Sequence, residues 1–113
     1  MDLIKNLEKE TALKLTDIVS YEDGKVVSLS IAQKPGVAMT LFAFDEGTSI
    51  STHAAPGDAL AFVLEGNAEI TIDGKPHTLC GGEAIVMPES IPHSVKAVSR
   101  FKMYLTVIKK TEG

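Results

Sequence analysis

The chain has little of what usually names an activity. Its 113 residues include one cysteine, no tryptophan and 5% aromatic residues. The single Cys80 excludes an internal disulfide, and with it the stapled frameworks of small secreted domains. So few aromatic rings leave no obvious platform for stacking on bases or sugars. No apolar run approaches the ~18 residues of a membrane helix. The start, Met1-Asp2-Leu3-Ile4-Lys5-Asn6, has neither the apolar stretch nor the small-residue cleavage site of a signal peptide. Basic residues are not clustered. Eleven Lys and Arg stand against fifteen Asp and Glu, for a net charge of −4, and Lys109-Lys110 reads as a solvated strand end. A nucleic-acid surface would need a basic patch. Also missing are the Gly-x-Ser-x-Gly elbow, the Gly-x4-Gly-Lys-Ser/Thr phosphate loop and the Gly-x-Gly-x-x-Gly fingerprint. The expectation is a cytoplasmic protein with no membrane or nucleic-acid partner.

What is present is periodic. Leu3, Leu7, Leu13 and Leu15 stand among charged residues. They predict a short amphipathic helix or an extended lead-in over about residues 1–20. After that the period drops to two. Strands are expected at 26–31, 37–44, 59–64, 68–72, 77–79, 84–87, 94–98 and 101–108, divided by Gly, Pro and Asp turns. Asp73-Gly74 between alternating runs is a strong hairpin signal, because both residues accept φ > 0. Residues 1–113 therefore read as one all-β domain, closed or sandwiched. The runs 26–31 and 39–44 would leave an apolar sheet face that needs cover. A homodimer is expected to supply it.

Two spacings go further. Gly47 is followed after five residues by His53, and Gly66 stands thirteen residues beyond His53. Gly82 is followed after five residues by Pro88, and His93 comes five residues later. These stretches resemble the paired motifs of the cupin superfamily, G-x5-H-x-H-x3-E-x6-G and G-x5-P-x-G-x2-H-x3-N. The resemblance covers about residues 36–108. It implies a single-domain cupin barrel, a double-stranded β-helix or jelly roll, with the short N-terminal segment ahead of it. In that family three histidines and a glutamate hold a metal inside the barrel. Here His53 and His93 match ligand positions, while Ala55 replaces the second histidine and Ala59 the glutamate. Ser90 replaces the second motif's internal glycine and Ala97 its asparagine.

Alternation assigns the faces, since residues i and i+2 of a strand share a side. His53 is grouped with Ala55, Ala59 with Ala61 and Val63, and His93 with Val95 and Ala97. With the motifs aligned, these faces look into the barrel and make a small, weakly charged pocket with two imidazoles. The candidate ligand-binding residues are His53, His93, Ala55, Ala59, Ala61 and Val63. Three readings are open: a hydrogen-bonded relic pair, a metal-free site for a small molecule, anions included, or a divalent transition metal (Fe, Mn, Ni, Cu or Zn) on His53 and His93. His77 is the candidate third metal ligand. The favoured function is a small-molecule-binding cupin. The alternative is a metal-dependent cupin enzyme of dioxygenase or isomerase type, and no catalytic residue is assigned.

Overall fold

A computed structural model describes residues 3–111. Among the described residues, nine strands follow a single 3-10 turn, Leu15–Asp17. They are β1 (Val26–Lys34), β2 (Val37–Phe44), β3 (Ser49–His53), β4 (Asp58–Glu65), β5 (Asn67–Ile72), β6 (Lys75–Cys80), β7 (Ala84–Met87), β8 (His93–Ala97) and β9 (Phe101–Ile108). Five form one sheet in the order β1-β2-β9-β4-β7, and four form the other in the order β3-β8-β5-β6. Every pairing is antiparallel. From β2 onward the chain passes back and forth between the sheets, which is the winding of a double-stranded β-helix.

Alternation places the core between the sheets. In β4, Ala59, Ala61 and Val63 turn inward and are buried, while Asp58, Leu60 and Phe62 turn outward. Ile70, Val95, Met87 and Met103 meet them, with Phe44 and Phe101 at the centre. Those two rings stack with centroids 4.4 Å apart. Such a pair is worth about 0.5–1.5 kcal/mol beyond its burial. At the β5–β6 hairpin, Asp73 and Gly74 both take positive φ, 50° and 80°, as the Asp-Gly signal predicted.

The N-terminal segment forms neither an α-helix nor a strand among the described residues and runs as bends and turns with the one 3-10 turn. It lies on the outer face of the five-stranded sheet, away from the barrel interior. Lys5 N donates to Ile31 O (2.8 Å). The Asn6 amide donates to Ser30 O (2.7 Å). Leu7, Leu15, Ile18, Val19 and Tyr21 then pack over Leu29, Leu41, Ala43 and Tyr104. The Lys102 ammonium, nearly buried, donates to Thr16 O (2.5 Å) and lies 4.7 Å from the Tyr21 ring centre. The Tyr21 hydroxyl donates to Glu65 (2.6 Å), and burial together with that carboxylate holds its pKa well above the usual phenol range. The runs expected to need a partner's cover, 26–31 and 39–44, are thus largely covered by the chain's own residues 5–21. The lead-in supplies apolar side chains to the face that the runs expose. Among the described residues no helix is long and apolar enough to cross a membrane.

Candidate functional site

His53 ends β3 and His93 begins β8, and the two are cross-strand partners. Alternation alone does not bring them together. Ile50 pairs with Val95 and His53 with His93, so three steps along β3 match two along β8. This bulge at Ser51-Thr52 lets Ile50 and His53 share the inner face despite their odd spacing. The imidazoles meet edge to face, with centroids 4.5 Å apart and planes at 69°. His53 is exposed at the rim, whereas His93 is 4% exposed beneath it.

Both rings are oriented in the same manner. His53 Nδ1 lies 2.9 Å from Ser51 O, and His93 Nδ1 lies 3.2 Å from Ile91 O. A carbonyl oxygen only accepts, so each neutral ring carries its proton on Nδ1 and keeps the lone pair on Nε2. His93 Nε2 has no protein partner among the described residues, yet no buried side-chain nitrogen or oxygen lacks one. That nitrogen therefore reaches solvent at the barrel mouth. Burial is the main force lowering the His93 pKa, and the adjacent His53 lowers it further. At neutral pH the buried ring is an uncharged hydrogen-bond acceptor.

The remaining sequence candidates divide. Ala59, Ala61 and Val63 face inward as expected, but at 1% exposure or less they are sealed in the core. Ala55 is half-buried in the loop after β3, where its carbonyl accepts from Ser90 N (2.9 Å). His77 does not join the pair. It lies on edge strand β6, exposed and opposite Ile70, with β5 between it and β8. Two strand spacings put it about 10 Å away from His93's strand. Asp58 points outward, and its Oδ1 accepts from Glu89 N (2.8 Å). Glu83 caps the β6–β7 turn by accepting from Cys80 N (2.9 Å) and the Cys80 thiol (3.2 Å). That carboxylate raises the thiol pKa, leaving Cys80 a poor nucleophile.

A resident metal does not fit this donor set. No group of three His, Cys, Asp or Glu able to hold a metal exists among the described residues. Protein metal centres of this kind take at least three protein ligands. Two Nε2 atoms supply two, and alanines occupy the places from which others would come. Sequence reasoning missed β3 and the residues around the rings: the Ser51 and Ile91 carbonyls, Ile72, which pairs with His93, and Ile50, which pairs with Val95 two residues on. The signal for β3 was the β-branched Ile50 and Thr52 before His53. It was weak because four of the five residues of β3 are exposed.

A two-sheet antiparallel barrel with a histidine pair at its mouth defines a class, and the comparisons agree. The family model described as "Cupin domain" matches residues 40–109. The chain belongs to the cupin family. It is similar to the crystal structure of a conserved protein of unknown function from Streptococcus pyogenes, at 39% identity and TM-score 0.96, over 99% of this chain and 98% of that one. A cupin superfamily protein from Desulfitobacterium hafniense is 31% identical, with TM-score 0.91, over 95% of this chain and 98% of that one. A cupin 2 conserved barrel domain protein from Leptotrichia buccalis is 42% identical, with TM-score 0.84, over 86% of this chain and 47% of that one. No curated protein matches the chain.

Proposed function

We propose that the chain is a metal-independent, small-molecule-binding cupin whose ligand sits at the barrel mouth on His53 and His93. The observation that carries this reading is the matched orientation of the two rings. Both Nδ1 atoms are held by backbone carbonyls, which leaves both Nε2 atoms for a guest. A neutral ring held this way offers Nε2 as an acceptor, so the guest presents hydroxyl, amine or carboxylic-acid donors, with its apolar part against Ile50 and Ile72. An anion must bring a proton to the pair. Its affinity is therefore expected to rise as the pH falls. One exposed cysteine fits a reducing, cytoplasmic setting.

The test uses untagged protein purified without chelator, beside the His53→Ala/His93→Ala variant. Elemental analysis is expected to find metal well below one equivalent in both. A thermal-shift screen of small hydroxy and carboxylic acids is expected to yield compounds that stabilise the wild type and leave the variant unmoved. A ligand at a hundred times its Kd adds about 2.7 kcal/mol of stability. Near-stoichiometric metal in the wild type, lost in the variant, would overturn this reading in favour of a metal-dependent cupin enzyme. Hits that stabilise both proteins equally would place binding away from the histidines.

A further inference from the structure

Two segments cross between the sheets at the barrel mouth. Residues 54–57 carry the chain from His53 at the end of β3 to Asp58 at the start of β4. Residues 88–92 carry it from Met87 at the end of β7 to His93 at the start of β8. Their ends are paired in both sheets, Ala59 with Met87 in one and His53 with His93 in the other. The crossovers therefore run side by side, and each delivers one imidazole. The β3–β8 ladder stops at the histidines, so whatever joins the crossovers beyond it bears on how the two rings face. The first crossover is fixed by close approach: Gly57 is buried, and a β-carbon there would overlap the Ile108 carbonyl at the end of β9. The second is a tight turn. Ile91 N donates to Pro88 O (3.2 Å), and Ser90, third in the turn, takes φ 62°. Such a turn closes one bond and leaves the amides of its two central residues, Glu89 and Ser90, without a partner inside it. The first crossover takes both. Ser90 N donates to Ala55 O (2.9 Å), and Glu89 N donates to Asp58 Oδ1 (2.8 Å). Beyond the turn, Pro92 O accepts from Asp73 N (2.8 Å), which ties the end of the crossover to the β5–β6 hairpin.

We propose that Asp58 is a positioning residue for the histidine pair: its carboxylate clasps the crossover that bears His93 to the one that bears His53, and so fixes how the two rings face the mouth. Of the two bonds between the crossovers, this is the one made by a side chain, and a carboxylate accepting from a backbone amide is the stronger kind. The clasp reaches the ring through one further contact. His93 Nδ1 is held by Ile91 O, and Ile91 closes the clasped turn. A turn that loosens carries that carbonyl away and releases the tautomer it selects. Asp58 is exposed and points away from the interior, so it touches neither ring and acts only through the turn. The inference rests on the reading of the pair as the ligand site, where the clasp sets the direction of the Nε2 lone pairs that a guest meets.

NMR of the full chain, nitrogen-15 labelled and free of ligand, tests the proposal at about pH 8, above the ordinary imidazole range. Two signals are read. One is deuterium exchange at the Ser90 amide, whose own acceptor no substitution removes. The other is the His93 tautomer, reported by its two ring nitrogens. Asp58→Ala is expected to speed Ser90 exchange at least about tenfold, the scale of one lost charge-assisted bond, and to mix the His93 tautomers. Asp58→Asn keeps an acceptor oxygen and is expected to stay within roughly threefold of the wild type, with the proton still on Nδ1. Gly82→Ala lowers stability from the β6–β7 turn without touching either crossover, and is expected to leave both signals as they are. Circular dichroism checks that each variant folds. Wild-type exchange and tautomer in Asp58→Ala overturn the proposal. So does an Asp58→Asn as perturbed as Asp58→Ala, which would make charge the cause, or a Gly82→Ala that mixes the tautomers, which would make lost stability the cause. Neither signal needs a ligand. If the acid screen finds no histidine-dependent compound while both signals respond as expected, the ligand reading fails and the clasp stands.

Discussion

The three motif glycines offer a controlled experiment on the fold. Gly47, Gly66 and Gly82 have nearly the same backbone, with φ of 81°, 82° and 93°. Replacing any of them by alanine places a β-carbon in the left-handed region, at a cost of about 1–2 kcal/mol. Their surroundings differ. A β-carbon at Gly47 or Gly82 would meet nothing within 4 Å. At Gly66 it would stand 2.0 Å from Arg100 O and 2.7 Å from both Cα and Cβ of Phe101. Those atoms begin β9 and cannot rotate aside. Making room means shifting the strand that stacks Phe101 on Phe44. Overpacking of this kind costs a further ~1–3 kcal/mol. Gly47→Ala and Gly82→Ala are therefore expected to lose about 1–2 kcal/mol, and Gly66→Ala about 2–5 kcal/mol, a large part of a typical domain's 5–15. Ser90 supplies the reverse case. It stands at the family's glycine position with φ 62°, so Ser90→Gly is expected to relieve strain and gain about 1 kcal/mol. Urea titrations followed by circular dichroism measure all four, with unchanged slopes expected. Equal midpoints for the three alanine variants would refute the close-approach reasoning, and a loss on Ser90→Gly would refute the strain reasoning.

Two further outcomes follow from the core and the site. Phe101→Ala removes a fully buried ring from the Phe44 stack and is expected to cost about 3–5 kcal/mol; a loss under 1 kcal/mol in the same titration would mean that the core collapses around the gap. The lowered pKa of His93 means that the unfolded chain takes up a proton that the folded ring resists. Its contribution is constant above the ordinary ~6.5 and becomes destabilising as pH falls from there towards the lowered value. Urea midpoints at about pH 7.5 and 5.5 are expected to drop more for the wild type than for His93→Asn, and an equal drop would contradict the burial of the neutral ring.

The site and the fold were legible to different depths in the sequence. Period-two runs located eight of the nine strands, with 37–44, 84–87 and 101–108 matching β2, β7 and β9 end to end. Turn chemistry identified the Asp73-Gly74 hairpin, and motif spacing marked His53 and His93 as the pair to watch. These properties are local: each is set by what a few adjacent residues can do with φ, ψ and a half-buried face. β3 escaped because it is polar and exposed, so its pairing with β8 carries it more than its own composition does. The bulge that turns His53 onto His93 is a property of the β3–β8 register, and a register belongs to two strands at once. His77 could be dismissed as a partner of the pair only when the sheet order put β5 in between. Likewise, the leucines of the lead-in announce an apolar face, but only packing shows that Leu7 and Leu15 cover the face of β1, β2 and β9 while Leu3 and Leu13 stay exposed. Residues far apart in sequence compete for the same surface there, and which of them are left exposed on β4 and β7 is decided by where the chain comes to rest.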